Sequence, residues 1–214
     1  MRNIFFTILI VFILLFLSVT ANAWDGQRKG FLMGFGVGVG MTPFVDIRYD
    51  EFTPPYLTYS AKHKPLFKTD FRIGYAPDNF WQIYWMSKVF WFQAETHHWG
   101  YYYGYDKSSD LAIYGLAGVG VTYSFKPQAP SFFLTGGIGY SSLGKMFTTK
   151  YSNQWDYEIG NVGDPEYGFG FSIGAGYEFV RHLNVEADLS YRAPSENDDW
   201  NGLSFSLGLN ILGY

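Results

Sequence analysis

The sequence predicts an all-β protein, an eight-stranded antiparallel transmembrane up-and-down β-barrel preceded by a cleaved signal peptide. Three observations predict this fold: an export segment at the N-terminus, eight segments of alternating apolar and small or polar residues, and connections that are short and long in turn. Barrels that span a membrane have these features, because each strand faces lipid on one side and the barrel interior on the other.

The composition excludes several other classes of protein. Charged residues make up 16% and aromatic residues 21% of the 214 positions, whereas an average soluble domain carries about 25% charged residues. The formal net charge of −4 argues against a nucleic-acid partner, since nucleic-acid binding needs a basic surface. Because the chain has no cysteine, thiol catalysis, thiolate metal sites, disulfides and a lipoprotein anchor are excluded.

Residues 1–23 form the predicted signal peptide. Arg2 precedes an apolar run over 4–17, and Ala21-Asn22-Ala23 is the small-x-small pattern of a signal-peptidase site. The run is shorter than the roughly 20 residues that a membrane span needs. We therefore expect cleavage before Trp24, rather than a retained anchor, and a mature outer-membrane β-barrel domain over 24–214.

Eight segments have the period-two alternation of strands, in which successive side chains point to opposite faces. In the first, Phe31, Met33 and Phe35 oppose Gly34 and Gly36. The eight predicted segments are 31–41, 67–75, 81–91, 111–125, 132–141, 169–179, 183–192 and 203–211.

The volume of the apolar side chains predicts which face of each strand points outward. Roughly forty apolar side chains lie on the apolar faces, and the interior of an eight-stranded barrel is only just wide enough to be filled by side chains. The apolar faces are therefore expected to contact lipid. Aromatic residues near the strand ends are expected to form girdles at the two membrane interfaces: Tyr75, Tyr123, Phe125, Tyr140, Tyr177, Phe179 and Tyr191.

The connections alternate in predicted length. Those at 76–79, 126–131 and 180–182 are short, and those at 42–65, 93–110, 143–167 and 193–202 are long. Short periplasmic turns and long outer loops are typical of outer-membrane barrels, and an even number of strands returns both termini to the periplasmic side.

The predicted inward faces carry four cations and four carboxylates. Charges removed from water must be paired, so this balanced set predicts an interior ion-pair network that plugs the barrel. A narrow gated channel for ions or apolar solutes is the alternative. The predicted network is Lys68, Asp70, Arg72, Lys88, Glu178, Glu186, Asp188 and Arg192.

The long connections are rich in tyrosine and tryptophan, which are typical of recognition surfaces. They are expected either to bind a surface ligand or protein partner or to pack on one another and on headgroups. The acidic segment 195–200 is a candidate for a divalent ion shared with lipopolysaccharide. The predicted loop interaction surface is Tyr56, Tyr59, Trp99, Tyr101, Tyr102, Tyr103, Tyr105, Trp155 and Trp200.

We expect no catalytic residue, no cofactor and no closed metal site. Glu95, His97 and His98 lie close together in sequence, and in principle they offer a metal site or a catalytic base. Adjacent residues of a strand point to opposite faces, however, and a closed metal site normally needs three or four ligands.

The stretch 132–140, FFLTGGIGY, and the hairpin over 168–192 resemble the small eight-stranded outer-membrane barrels, a family that includes the OmpA membrane domain, OmpX and OmpW. The export segment, the alternation and the balanced interior together predict a location in the outer membrane of a Gram-negative bacterium, contact with outer-membrane lipid and lipopolysaccharide, and a non-enzymatic role in envelope integrity or surface interaction. The resemblance itself implies the barrel architecture and not an activity. It also implies that the barrel-assembly machinery recognises a terminal aromatic residue. Tyr214 is out of phase with Leu209 and Ile211, so that role requires a bulge near Leu212.

The last hairpin is also somewhat similar to the lipid A deacylases of the PagL type. That resemblance implies a His-x-Ser-Asn signature with serine as the nucleophile and histidine as its base. Ser190 lies on the corresponding strand without a nearby histidine, so the sequence lacks this signature, and a lipid A-modifying enzyme is kept only as an alternative hypothesis.

Overall fold

The predicted fold class is confirmed by the computed structural model, which describes residues 27–50, 57–100, 104–151, 166–194 and 202–214. Eight strands close into one barrel in which each strand pairs antiparallel with its sequence neighbours and β8 pairs with β1. The strands are β1 (Gly30–Asp50), β2 (Leu57–Ala76), β3 (Trp81–Gly100), β4 (Gly104–Ser124), β5 (Ser131–Tyr151), β6 (Glu166–Val180), β7 (Leu183–Pro194) and β8 (Gly202–Gly213).

The register determines the width of the barrel. A row of paired residues that starts at Asn184 and passes once around the wall, through β8 and β1 to β6, returns to β7 at Pro194, ten residues further along. With eight strands and a rise of about 3.3 Å per residue, this stagger corresponds to a strand tilt of about 40°. Such a barrel is narrow enough for side chains to fill it.

The outer wall is apolar and the inner wall mostly small or polar, as the alternation predicts. Along β8 the side chains of 202–212 are buried and exposed in strict turn, with Leu207 exposed and Ser206 buried. Trp81 and Trp91 lie ten residues apart on the outer face of β3, which is about 25 Å along the axis at this tilt. This separation matches the height of the apolar band of an outer-membrane barrel.

One end of the barrel, here called the turn end, carries three short connections and both described chain ends, Gln27 and Tyr214. The connections are 77–80, 125–130 and 181–182. Asp78 shapes the first of them by accepting hydrogen bonds from the backbone N–H groups of Phe80, at 2.7 Å, and Trp81, at 2.8 Å. The short turns are confirmed to within one residue of their predicted bounds.

The opposite end, here called the hairpin end, corrects the predicted lengths of the long connections. The strands β1 to β5 have 20 or 21 residues, about 50 Å along the axis at this tilt. They continue into the segments predicted as loops, because backbone pairing goes on where the apolar alternation ends. Above the barrel, Ile47–Asp50 of β1 pairs in parallel with Thr96–Trp99 of β3. In this stretch β1 therefore has β3 as an additional neighbour, which it does not have in the barrel wall.

The predicted signal peptide over 1–23 and its cleavage site lie outside the described residues. Within the described part of the chain, no helix is long and apolar enough to cross a membrane.

Inward glycines allow the strands to approach closely, and this generates a first prediction. A Cβ atom at Gly38 would lie 2.9 Å from the Cα atom of Gly208 on β8, whereas one at Gly136 would meet nothing nearer than the Ser172 carbonyl oxygen, at 3.8 Å. We expect Gly38→Ala to lower the free energy of unfolding by about 1–3 kcal/mol through overpacking. The comparison variant is Gly136→Ala, at a glycine on the outer face of β5, and it should change the free energy of unfolding by less than about 0.5 kcal/mol.

Urea unfolding of the refolded proteins measures both values. Equal destabilisation by the two substitutions would contradict the close approach of β1 and β8.

Candidate functional site

The charged interior of the barrel is the candidate functional site. Six of the eight predicted network residues meet halfway along the barrel, and all six are at most 2% exposed. They form a compact set of three cations and three carboxylates, carried by β2, β3 and β7: Lys68, Asp70, Arg72, Lys88, Glu186 and Asp188.

Arg72 bridges two carboxylates of this set. Its Nη2 donates to Oε2 of Glu186 at 2.7 Å, to Oε1 of Glu186 at 2.8 Å and to Oδ2 of Asp70 at 2.7 Å. The guanidinium carbon also lies 5.2 Å from the ring centroid of Tyr84, within the range of a cation–π contact. Arg72 therefore joins a carboxylate on its own strand to one across the barrel.

The two lysines complete the network. Lys88 Nζ lies 3.2 Å from Oε1 of Glu186, 3.3 Å from Oδ1 of Asp188 and 3.5 Å from Oδ2 of Asp70. Lys68 Nζ donates to Asp188, which also accepts hydrogen bonds from Ser190 and Ser206. Each charge is matched by an opposite one, as buried charges require.

Glu178 lies apart from this set, at the turn end. Its carboxylate pairs with Arg28, whose Nε donates to Oε2 at 3.0 Å, and it accepts a hydrogen bond from the Tyr214 hydroxyl. Arg28 also donates to the Lys126 carbonyl. Sequence reasoning missed Arg28, although extending the even-numbered inward positions of β1 back by one step from Gly30 places it inside.

The described pairing at the end of β8 lacks the bulge that an outward-facing Tyr214 would require. Pairing of β1 with β8 continues without a shift through Gly34–Leu212 and Met33–Gly213, so Tyr214 points inward and is 4% exposed. Burial and the adjacent Glu178 carboxylate raise the pKa of the Tyr214 hydroxyl above its usual range. This terminal aromatic side chain therefore belongs to the interior rather than to the lipid-facing wall.

Arg192 is also separate from the ionic set, two residues before β7 ends at the hairpin end. It has no carboxylate partner among the described residues. Its Nη2 donates to Oγ1 of Thr42 at 2.6 Å and to Oγ of Ser204 at 2.7 Å, and its guanidinium carbon lies 3.2 Å from the ring centroid of Tyr114. The Nε and Nη1 groups are buried and make no hydrogen bond to any residue that the structure describes.

Two apolar clusters fill the interior on either side of the ionic set. The first lies toward the hairpin end and contains Leu66, Phe90, Phe92, Ala112, Tyr114 and Leu143. The second extends to the turn end and contains Leu32, Tyr84, Met86, Leu116, Leu212 and Tyr214. Sequence reasoning missed both clusters because it assigned bulky apolar residues to the outer wall.

The arrangement contains no recognisable catalytic unit within the described residues. Ser190 is fully buried and donates to Oδ1 of Asp188 at 3.1 Å. No group of three or more histidine and carboxylate side chains in the described part of the chain is placed to hold a metal ion. The side chains of Glu95, His97 and His98 and the acidic segment 195–200 lie outside the described residues.

The predicted loop interaction surface also lies outside the residues whose side chains are described. Tyr59 is on β2, Trp99 on β3 and Tyr105 on β4, which corrects their placement in loops. The other members of this surface are in segments of the chain that are not described: Tyr56, Tyr101, Tyr102, Tyr103, Trp155 and Trp200.

The ionic set generates a second prediction. Glu186→Gln removes a carboxylate shared by Arg72 and Lys88, and loss of one partner of a buried pair typically costs about 3–5 kcal/mol. We expect Glu186→Gln and Lys88→Gln each to destabilise the barrel strongly in urea unfolding. The double variant should lose clearly less than the sum, because it restores charge balance.

The exposed Lys126→Gln substitution is the control and should change the free energy of unfolding by less than about 0.5 kcal/mol. Additive losses in the double variant would contradict a shared network.

His182 generates a third prediction. It lies in the two-residue turn at a φ of 70° and contacts the Leu212 carbonyl through Nδ1 at 2.7 Å. Burial is the main cause that lowers its pKa below 6.5, Arg181 lowers it further, and the Leu212 contact and Glu178 oppose the shift. Because the folded state favours the neutral ring, His182 contributes stability above pH 6.5 that is lost as the pH falls through the folded pKa.

We therefore expect the urea midpoint to fall more between pH 7.5 and 5.5 in the wild type than in His182→Asn. Asparagine tolerates a positive φ and does not titrate there. Parallel curves for the two proteins would refute the assignment.

No protein-family model and no curated protein sequence matches the chain. Among solved structures, the chain is similar to Ail, the attachment invasion locus protein of Yersinia pestis, in complex with the heparin analogue sucrose octasulfate. The TM-score is 0.49, and the identity is 11% over 86% of this chain and 99% of that one. It is also similar to the outer membrane protein OprG from Pseudomonas aeruginosa, with a TM-score of 0.48 and 12% identity over 88% of this chain and 98% of that one.

A third similar structure is Neisserial surface protein A, with a TM-score of 0.43 and 12% identity over 88% of this chain and 99% of that one. The closed eight-stranded topology and the apolar outer wall of the chain itself, rather than these low-identity alignments, give it the architecture of the small outer-membrane barrels.

Proposed function

We propose that the protein is a non-enzymatic integral protein of the Gram-negative outer membrane, exported through a cleaved signal peptide, whose plugged barrel anchors long aromatic-rich hairpins at the cell surface. Its role is in envelope integrity or surface interaction. The observation that supports this proposal most directly is the filled interior, in which three cations and three carboxylates neutralise one another between two apolar clusters.

The outer wall supports insertion into a bilayer. Apolar side chains such as Phe132, Ile138 and Ile211 are more than 60% exposed on it, which is costly in water and favourable in lipid. Aromatic rings cluster on this wall near the turn end, where Trp81 and Tyr123 have centroids 4.8 Å apart and Phe132 and Tyr177 have centroids 4.7 Å apart. In this placement the turn end faces the periplasm and the hairpin end faces outward.

The long hairpins support a surface role. They extend the walls formed by β1 to β5 to about twice the height of the apolar band, and such a projection serves neither anchoring nor closure of the spanning section. In this placement the protein contacts outer-membrane lipid and lipopolysaccharide and binds an unidentified surface ligand. The barrel-assembly machinery is its partner during insertion.

Single-channel conductance of the refolded chain in a planar bilayer tests the plugged interior. We expect no stepwise current from the wild type, because the network and apolar clusters leave ions no hydrated path. Arg72→Ala and Glu186→Ala each remove a member of the network and should raise conductance. The matched control is Lys126→Ala, at an exposed position on the turn end, which should remain silent.

A shift in electrophoretic mobility on boiling verifies in every sample that the barrel has folded. Stable currents from the folded wild type would favour the alternative, a small channel for ions or apolar solutes. Unchanged silence in both network variants would count against the ionic set as the element that blocks conduction.

A further inference from the structure

A cavity of about 420 Å³ lies at the turn end, between the connections 125–130 and 181–182. One side is polar and contains Arg28, Gln128, Arg181 and Tyr214. It is separate from the ionic set, and neither the plugged interior nor the surface hairpins give it a role.

The protein around this cavity has excess positive charge. Residues 27–29, 77–80, 125–130 and 178–182 contain four cations, Arg28, Lys29, Lys126 and Arg181, and two carboxylates, Asp78 and Glu178. Glu178 is engaged by Arg28. The electrostatic surroundings of the cavity therefore favour an anion.

The lining also has an apolar part that is exposed on the outside of the barrel. It includes Phe179 and Val180, which are 38% and 54% exposed. These residues continue the aromatic region of the outer wall that holds Phe132 and Tyr177. A ligand that fills the cavity must therefore offer an anionic group and an apolar group within a few ångströms of each other.

We propose that this cavity binds an anionic glycerophospholipid of the adjoining leaflet, with the phosphate at Arg181 and an acyl chain against Phe179 and Val180. Arg28 shapes the polar wall while it remains bound to Glu178. The inference rests on the membrane placement under Proposed function. A periplasmic peptide fits less well, because it would leave the lipid-facing wall of the cavity without a partner.

Native mass spectrometry of the refolded full chain tests the site with phosphatidylglycerol and phosphatidylcholine at equal concentration. We expect several-fold greater retention of phosphatidylglycerol by the wild type and a several-fold loss of that preference in Arg181→Gln. Lys29→Gln is the matched control, since it removes one positive charge from the same end without lining the cavity. It should retain the wild-type preference.

Two further arms separate lipid from a soluble phosphate. Val180→Ser keeps the charge but weakens the apolar wall, and it should lower phosphatidylglycerol retention. Glycerol phosphate at the same concentration should fail to displace the lipid. Equal effects of Arg181→Gln and Lys29→Gln, equal retention of the two lipids, or displacement by glycerol phosphate would each overturn the lipid site.

A mobility shift on boiling is recorded for every variant. A folded barrel without lipid preference refutes this site alone, whereas an unshifted wild type refutes the membrane barrel on which it rests.

Discussion

The need to neutralise charge inside a narrow barrel is the constraint on which the rest of the structure depends. A ten-residue stagger over eight strands leaves an interior that side chains fill, and charges there have little water to solvate them. The long charged side chains come from β2, β3 and β7, and glycines on β1 and β8 leave room for them. A Cβ atom at Gly208 would lie 3.2 Å from Lys68 Nζ, and one at Gly36 would collide with the Asn210 side chain.

Because the six charges of the ionic set pair with one another inside the barrel, the outer wall needs no charged residues and is free to be apolar. Backbone hydrogen bonds close around the whole circumference, which a bilayer interior requires because it offers no water to unpaired strands. The same alternation that places Asp70 and Lys88 inside places Phe71 and Val89 on the outer face. Interior neutrality and exterior apolarity are thus two results of one period-two pattern.

This pattern explains how much could be predicted from the sequence. It predicted the strand count, the outward face and the inward position of all eight charged residues, since each depends only on alternation along one strand. Which charges meet depends on the stagger between strands, which no single strand encodes, so the separation of Glu178 and Arg192 from the other six was missed. The strand ends were missed because pairing beyond the apolar band needs no apolar residues.

The two separated charges show that the same constraint is met differently at the two ends of the spanning section. At the turn end, Glu178 receives a guanidinium from Arg28 and a hydroxyl from Tyr214, so the charge is balanced by an ion pair. At the hairpin end, Arg192 contacts two hydroxyl groups and the Tyr114 ring. Hydroxyl dipoles and a ring quadrupole stabilise a cation less than a carboxylate does, so Arg192 is less well compensated by the described residues than Glu178 at the opposite end.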